Sequence, residues 1–127
     1  MRARIMVVED QPEIRQLIRM TLEFGAFELV EAVDADAGWL LMLQQPPDLI
    51  LLDVMMPGSM DGLALCRQLR LHPALRTIPV ILLTARSQQR DVDIGYEAGA
   101  SAYLTKPFSP MELLDRIVGL LNDPRAR

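Results

Sequence analysis

Leu49-Ile50-Leu51-Leu52-Asp53-Val54-Met55-Met56-Pro57 opens on four consecutive aliphatic residues and then changes character at one acid. A short, continuously apolar run reads as a strand covered on both faces, the mark of a parallel sheet between helices. The acid that closes it is the informative residue. A carboxylate at the end of a buried strand is costly unless something there uses its charge. Three further runs repeat the pattern. Ile5-Met6-Val7-Val8 leads into Glu9-Asp10, Val80-Ile81-Leu82-Leu83 into Thr84, and Ala102-Tyr103-Leu104 into Thr105-Lys106-Pro107. Strands are predicted at 4–8, 27–32, 48–52, 79–83 and 102–105.

Helix-period segments alternate with these runs. Pro12 suits the first turn of a helix whose face is Ile14, Leu17, Ile18 and Leu22, with Gly25 as the stop. Further helices are predicted at about 35–45, 61–71 and 87–98, the last ended by Gly99. The fifth starts after Ser109, a good N-cap, with Pro110 in its first turn and a stripe of Leu113, Leu114, Ile117, Val118 and Leu121. Strictly alternating strands and helices imply an α/β, three-layer sandwich on a parallel sheet.

In an open parallel sheet the strand C-termini share one edge, and ligands bind there. Glu9, Asp10, Asp53, Thr84 and Lys106 therefore converge. Two carboxylates about 4 Å apart repel by roughly 4 kcal/mol at an effective dielectric of 20, and a divalent cation reverses that sign. Oxygen-only ligands favour Mg²⁺, or Mn²⁺, over zinc. The site is one for a divalent cation and a phosphoryl group, with Asp53 as the acceptor. Each residue also has a plainer role. Glu9 and Asp10 equally suit the start of a helix, Thr84 suits a cap, and a single lysine is most often a solvated loop residue. Those roles leave Asp53 unexplained, and Lys106 is the chain's one lysine beside twelve arginines. Tyr103, Cys66 and the eight methionines read as core, and His72 as a helix-end residue.

Composition narrows the functional classes. At 127 residues and half apolar, the chain is one domain with a real core. Its net charge of −4, without a basic stripe, argues against direct nucleic-acid binding. No apolar run approaches a membrane span, and Met1-Arg2-Ala3-Arg4 precedes too short a run for a signal peptide. The single Cys66 fits a reducing, cytoplasmic setting.

Taken together, Val7-Val8-Glu9-Asp10, Leu52-Asp53-Val54-Met55-Met56-Pro57, Met60-Asp61-Gly62, Leu83-Thr84-Ala85, Ala98-Gly99-Ala100 and Tyr103-Leu104-Thr105-Lys106-Pro107-Phe108 resemble the receiver domain of two-component response regulators. The ordered set spans nearly the whole chain. The resemblance implies a flavodoxin-like (βα)5 fold with strand order 2-1-3-4-5. It implies a receiver domain over 1–122, with 123–127 a tail or the start of a linker. It also implies that Asp53 is phosphorylated from the phosphohistidine of a sensor histidine kinase or phosphotransfer protein. Asp10, Asp53 and the backbone carbonyl of Met55 would bind Mg²⁺, with Glu9 acting through water. Lys106 would pair with the phosphoryl group. Thr84 and Tyr103 would form a coupled switch that reshapes the surface of the fourth helix, fifth strand and fifth helix for an output domain or partner. A cis Lys106-Pro107 peptide is expected, because cis bonds are largely confined to X-Pro and this one would aim the lysine inward. Met55 and Arg86, two residues beyond Asp53 and Thr84, are expected to flank the phosphoryl group.

Three departures accompany the resemblance. Glu9 stands where Asp is at least as usual. The loop Pro57-Gly58-Ser59-Met60-Asp61-Gly62 is one residue longer than the commonest form. Ser101-Ala102 occupy positions where receivers that dimerise through salt bridges often carry two Asp, so a monomer or weak dimer is expected. Two other classes share parts of this pattern. A haloacid-dehalogenase-like phosphatase needs a second Asp two residues after its nucleophile, where this chain has Met55. A phosphorylation-independent binding module would not need a complete site.

Overall fold

Strand and helix alternate without exception in the structure, a computed structural model that describes residues 2–123. The elements are β1 (Ala3–Val8), α1 (Pro12–Leu22), β2 (Phe27–Ala32), α2 (Ala35–Gln44), β3 (Leu49–Asp53), α3 (Gly62–Arg70), β4 (Val80–Thr84), α4 (Gln89–Glu97), β5 (Ala102–Thr105) and α5 (Pro110–Leu121). The five strands form one parallel sheet in the order β2-β1-β3-β4-β5. This is the expected flavodoxin-like sandwich. Most of the expected 123–127 tail lies outside the described residues.

Period-two alternation sorts the strand residues into two cores. Met6, Val8, Ile50, Leu52, Val80 and Leu82 face α2 and α3, packing with Met42, Leu65, Cys66 and Leu69. Ile5, Val7, Leu49, Leu51, Ile81 and Leu83 face the other way, onto Ile18 and Leu22 of α1 and Leu113 and Ile117 of α5. Because β1, β3 and β4 are buried on both faces, a charged residue on them is tolerated only where the strand runs out. That constraint puts the acids at the sheet edge.

Local chemistry fixes where the helices begin. Asp34 and Asp61 cap α2 and α3, accepting from the backbone N–H of Ala37 and Ala64 at 2.8 Å in both cases. Ser109 and Glu112 close a reciprocal capping box on α5. Gly62 is required by close approach. A Cβ there would run into the Asp53 carbonyl, so a side chain would push the start of α3 away from the end of β3.

Some boundaries differ from expectation. β3 and β4 include Asp53 and Thr84, because the parallel ladder continues through Asp53 beside Leu83 and Thr84 beside Thr105. The α4 helix begins at Gln89, leaving 85–88 as an irregular loop next to the site. α1 ends at Leu22, ahead of Gly25. The N–H groups of Phe24 and Gly25 tighten onto the Thr21 and Leu22 carbonyls, and Gly25 keeps an ordinary φ. Gly99 does take positive φ, +107°, at the end of α4. No helix among the described residues is long and apolar enough to cross a membrane.

Candidate functional site

The C-terminal ends of β1, β3, β4 and β5 bring the expected residues together. Glu9 follows β1 and is fully buried, Asp53 ends β3 with 3% of its surface exposed, and Thr84 ends β4, also buried. Lys106 follows β5, held at the backbone by its N–H to the Thr84 carbonyl at 2.7 Å. The Lys106-Pro107 peptide is cis, as expected. The Lys106 ammonium lies 2.7 Å from Glu9 Oε1 and 3.4 Å from Asp53 Oδ1. Asp53 Oδ1 also accepts the Met55 N–H at 3.3 Å.

Glu9, Asp10 and Asp53 each place a carboxylate oxygen within 4.8 Å of the others. Three acids face one lysine, and the local charge is out of balance. Asp53 shows the strain. Its carboxyl is pushed up to about 7, first by burial, then by the Glu9 charge and a hydrogen bond shared with Glu9, with Lys106 acting in opposition. Asp10 Oδ1 is buried and has no hydrogen-bond partner, whereas both Glu9 oxygens are engaged, Oε2 by the Gln11 N–H at 3.2 Å. A crowded oxygen-only set with an orphaned carboxylate oxygen fits a hard divalent cation such as Mg²⁺. A cleft of about 240 Å³, lined by Asp10, Gln11, Asp53, Met55, Thr84, Ala85 and Lys106, opens over these groups. It has room for a phosphoryl group.

Thr84 and Tyr103 meet through one residue. The Arg86 N–H donates to Thr84 Oγ1 at 3.1 Å, and the Tyr103 hydroxyl donates to the Arg86 carbonyl at 2.8 Å. Tyr103 is turned inward and 9% exposed, its ring against Gly95 of α4, where a Cβ would come within 2.9 Å. Met55 is 54% exposed. With Arg86 it lines a neighbouring groove of about 330 Å³ that also includes Pro57 and Asp61.

Two residues at the site, Gln11 and Arg15, and one structural residue away from it, Arg70, are not apparent from the sequence. Gln11 Oε1 accepts from the Lys106 ammonium at 3.1 Å. Arg15 of α1 donates to the Glu9 carbonyl at 2.8 Å, holding the turn that carries the acid pair. Arg70 donates to the carbonyls of Gly99, Arg76 and Ile78 at 2.7, 2.9 and 2.6 Å, tying α3 to both loops at the far end of the sheet. Its guanidinium also reaches Ser101 Oγ at 3.3 Å, and Ser101 accepts the Val80 N–H, so this serine is used internally. The one signal for Gln11 was an unusual N-cap residue; nothing in the sequence marked the two arginines.

Known proteins share this fold and much of this sequence. Residues 5–118 match the family model described as the response regulator receiver domain. The phosphate regulon transcriptional regulatory protein PhoB of Escherichia coli is 44% identical over 121 residues, 95% of this chain and 52% of PhoB. The chain thus spans about half the length of such curated relatives. A response regulator structure from Chloroflexus aurantiacus superimposes with a TM-score of 0.92 at 31% identity, covering 97% of this chain and all of that one. The receiver domain of a sensor histidine kinase from Pseudomonas aeruginosa, with a magnesium ion coordinated in its active site cleft, gives a TM-score of 0.88 at 28% identity, over 97% of this chain and 100% of its own. The acids and the lysine that the strand ends bring together are thus set in a fold and a sequence shared with signalling receivers, and the chain belongs to the response regulator receiver domain family.

Proposed function

We propose that Asp53 accepts a phosphoryl group from the phosphohistidine of a sensor histidine kinase or phosphotransfer protein. Receiver domains of this family are phosphorylation-activated switches in two-component signalling. The observation that carries the reading is the Asp53 carboxylate, buried between an acid pair and the chain's single lysine at the mouth of a polar cleft. The phosphorus–nitrogen bond of the donor breaks as an Asp53 oxygen attacks in line. The chain's task is to position the group and balance its charge. Lys106 swings from its carboxylate partners toward the phosphoryl oxygens. Thr84 keeps a hydroxyl proton to donate to another of them.

Asp10, Asp53 and the Met55 carbonyl would hold Mg²⁺ directly, and Glu9, with both oxygens engaged, would act behind them; Mn²⁺ would serve in the same place. The cation supplies charge compensation for the transferred group. Signal output follows from the Thr84–Arg86–Tyr103 chain of contacts. When Thr84 turns to the phosphoryl group, the Arg86 loop follows, and the inward position of Tyr103 gains population. The surface of α4, β5 and α5 changes with it. This is a shift between two existing states, set by the phosphoryl group's differential contacts.

The domain works in the cytoplasm and acts on an output domain or protein partner rather than on nucleic acid directly. It is a monomer or weak dimer, consistent with the internal use of Ser101. Incubation with acetyl phosphate and Mg²⁺ should add one phosphate by intact-mass spectrometry, and none to Asp53→Asn. Equal labelling of that variant would sink the assignment.

A further inference from the structure

Lys106 has three ammonium protons and three acceptors around it. Glu9 Oε1 lies at 2.7 Å, Gln11 Oε1 at 3.1 Å and Asp53 Oδ1 at 3.4 Å. The Glu9 contact is short and charged and is the main anchor. One anchor leaves the ammonium free to pivot. Gln11 removes that freedom. It stands at the N-cap of α1, a position whose side chain ordinarily accepts a helix N–H. Here the side chain makes no capping bond and reaches Lys106 instead. Its backbone N–H meanwhile binds the other Glu9 oxygen at 3.2 Å. Glu9, Gln11 and Lys106 thus close a ring of contacts, in which Glu9 is buried and Gln11 and Lys106 line the cleft.

We infer that Gln11 is a positioning residue for Lys106. Its neutral carbonyl is a second anchor that aims the third ammonium proton at Asp53. A carboxylate at this position would also anchor the lysine, but it would add a fourth negative charge beside Glu9, Asp10 and Asp53. An amide anchors without that repulsion, and it releases a neutral contact when the lysine moves to the phosphoryl group. This inference rests on the reading of Asp53 as phosphoacceptor.

The test uses Gln11→Met, equal in length but without an acceptor. Gln11 is exposed, so the fold should tolerate the change. Because the chain has one lysine, selective ¹⁵N labelling of the lysine side chain gives a single ammonium signal from Lys106. In the metal-free protein that signal should shift and broaden in Gln11→Met, and Gln11→Glu should restore it. With acetyl phosphate, Gln11→Met should lower the maximal phosphorylation rate by about three- to tenfold. Its half-saturating donor concentration and its calorimetric Mg²⁺ affinity should stay within about twofold. An unchanged ammonium signal, a signal not restored in Gln11→Glu, or a rate loss matched by an equal loss of Mg²⁺ affinity would overturn the inference. Failure of the wild type itself to take up phosphate would instead overturn the reading of Asp53.

Discussion

Replacing Asp53 with Asn should stabilise the metal-free protein, and the gain should grow with pH. Burial and the Glu9 charge raise the Asp53 carboxyl from 3.8 to about 7. A carboxyl whose folded pKa lies above its unfolded value holds its proton more tightly when folded. Its contribution to stability is present in full below the unfolded value and is lost as pH climbs through the folded one. At about 1.4 kcal/mol per pH unit, the whole interval corresponds to a loss of about 4 kcal/mol. The charges give a second route to the magnitude. At the outer separation of 4.8 Å, Glu9 and Asp10 each repel Asp53 by about 3.5 kcal/mol at an effective dielectric of 20. Lys106 at 3.4 Å returns about 5 kcal/mol. A net repulsion of about 2 kcal/mol remains before desolvation is counted.

Asn keeps the shape and removes the charge, so urea unfolding with a chelator present should show a gain of about 2–4 kcal/mol near pH 8.5. Near pH 5, where folded Asp53 is mostly protonated, the gain should fall to less than about half of that. Added Mg²⁺ should shrink or reverse the difference, because a cation turns the repulsion into ligation. No gain near pH 8.5, or a gain that ignores pH, would refute the argument that uncompensated carboxylate charge is stored at this site.

Gly95→Ala should destabilise the domain by about 1–2 kcal/mol in a urea melt, despite alanine's better helix propensity, because the new Cβ meets the Tyr103 ring at 2.9 Å and Leu82 Cδ1 at 3.0 Å; an unchanged midpoint would mean that α4 yields freely. Arg70→Ala should cost about 2–3 kcal/mol by chemical denaturation, since it strips the partner from three carbonyls. It should leave the phosphorylation rate nearly unchanged, because its contacts lie at the opposite end of the sheet. The Met55 side chain offers no hydrogen bond to orient an attacking water, and this half-exposed residue lines the cleft. Phosphorylated Asp53 should therefore decay slowly, and Met55→Asn or Met55→Glu should speed the decay by about tenfold. Decay rates that match the wild type would rule out water exclusion by Met55.

The sequence by itself determined the layers and the edge that carries the site. Four apolar runs, each ending in a polar or charged residue, allow one economical arrangement, because a strand buried on both faces can hold a carboxylate or lysine only at its end. Asp53, Thr84 and Lys106 were legible for that reason, and Glu9-Asp10 joined them by following the neighbouring strand. Helix starts were legible where capping is local, as at Ser109 and Glu112. Helix stops were less so: Gly25 marked the end of α1 too late, because a tightening turn at Leu22 needs no glycine. What only the tertiary structure decided depends on distance between residues far apart in the chain. Gln11 and Lys106 are 95 positions apart, and nothing in either neighbourhood indicates that one anchors the other. Arg70 reads as an ordinary helical arginine until the packing of α3 puts the Gly99, Arg76 and Ile78 carbonyls around it. The balance of charge at Asp53 is of the same kind. Sequence supplies three acids and a lysine, but whether the acids repel, pair or share a proton is set by separations of a few ångströms and by burial, which exist only once the strands have been laid side by side.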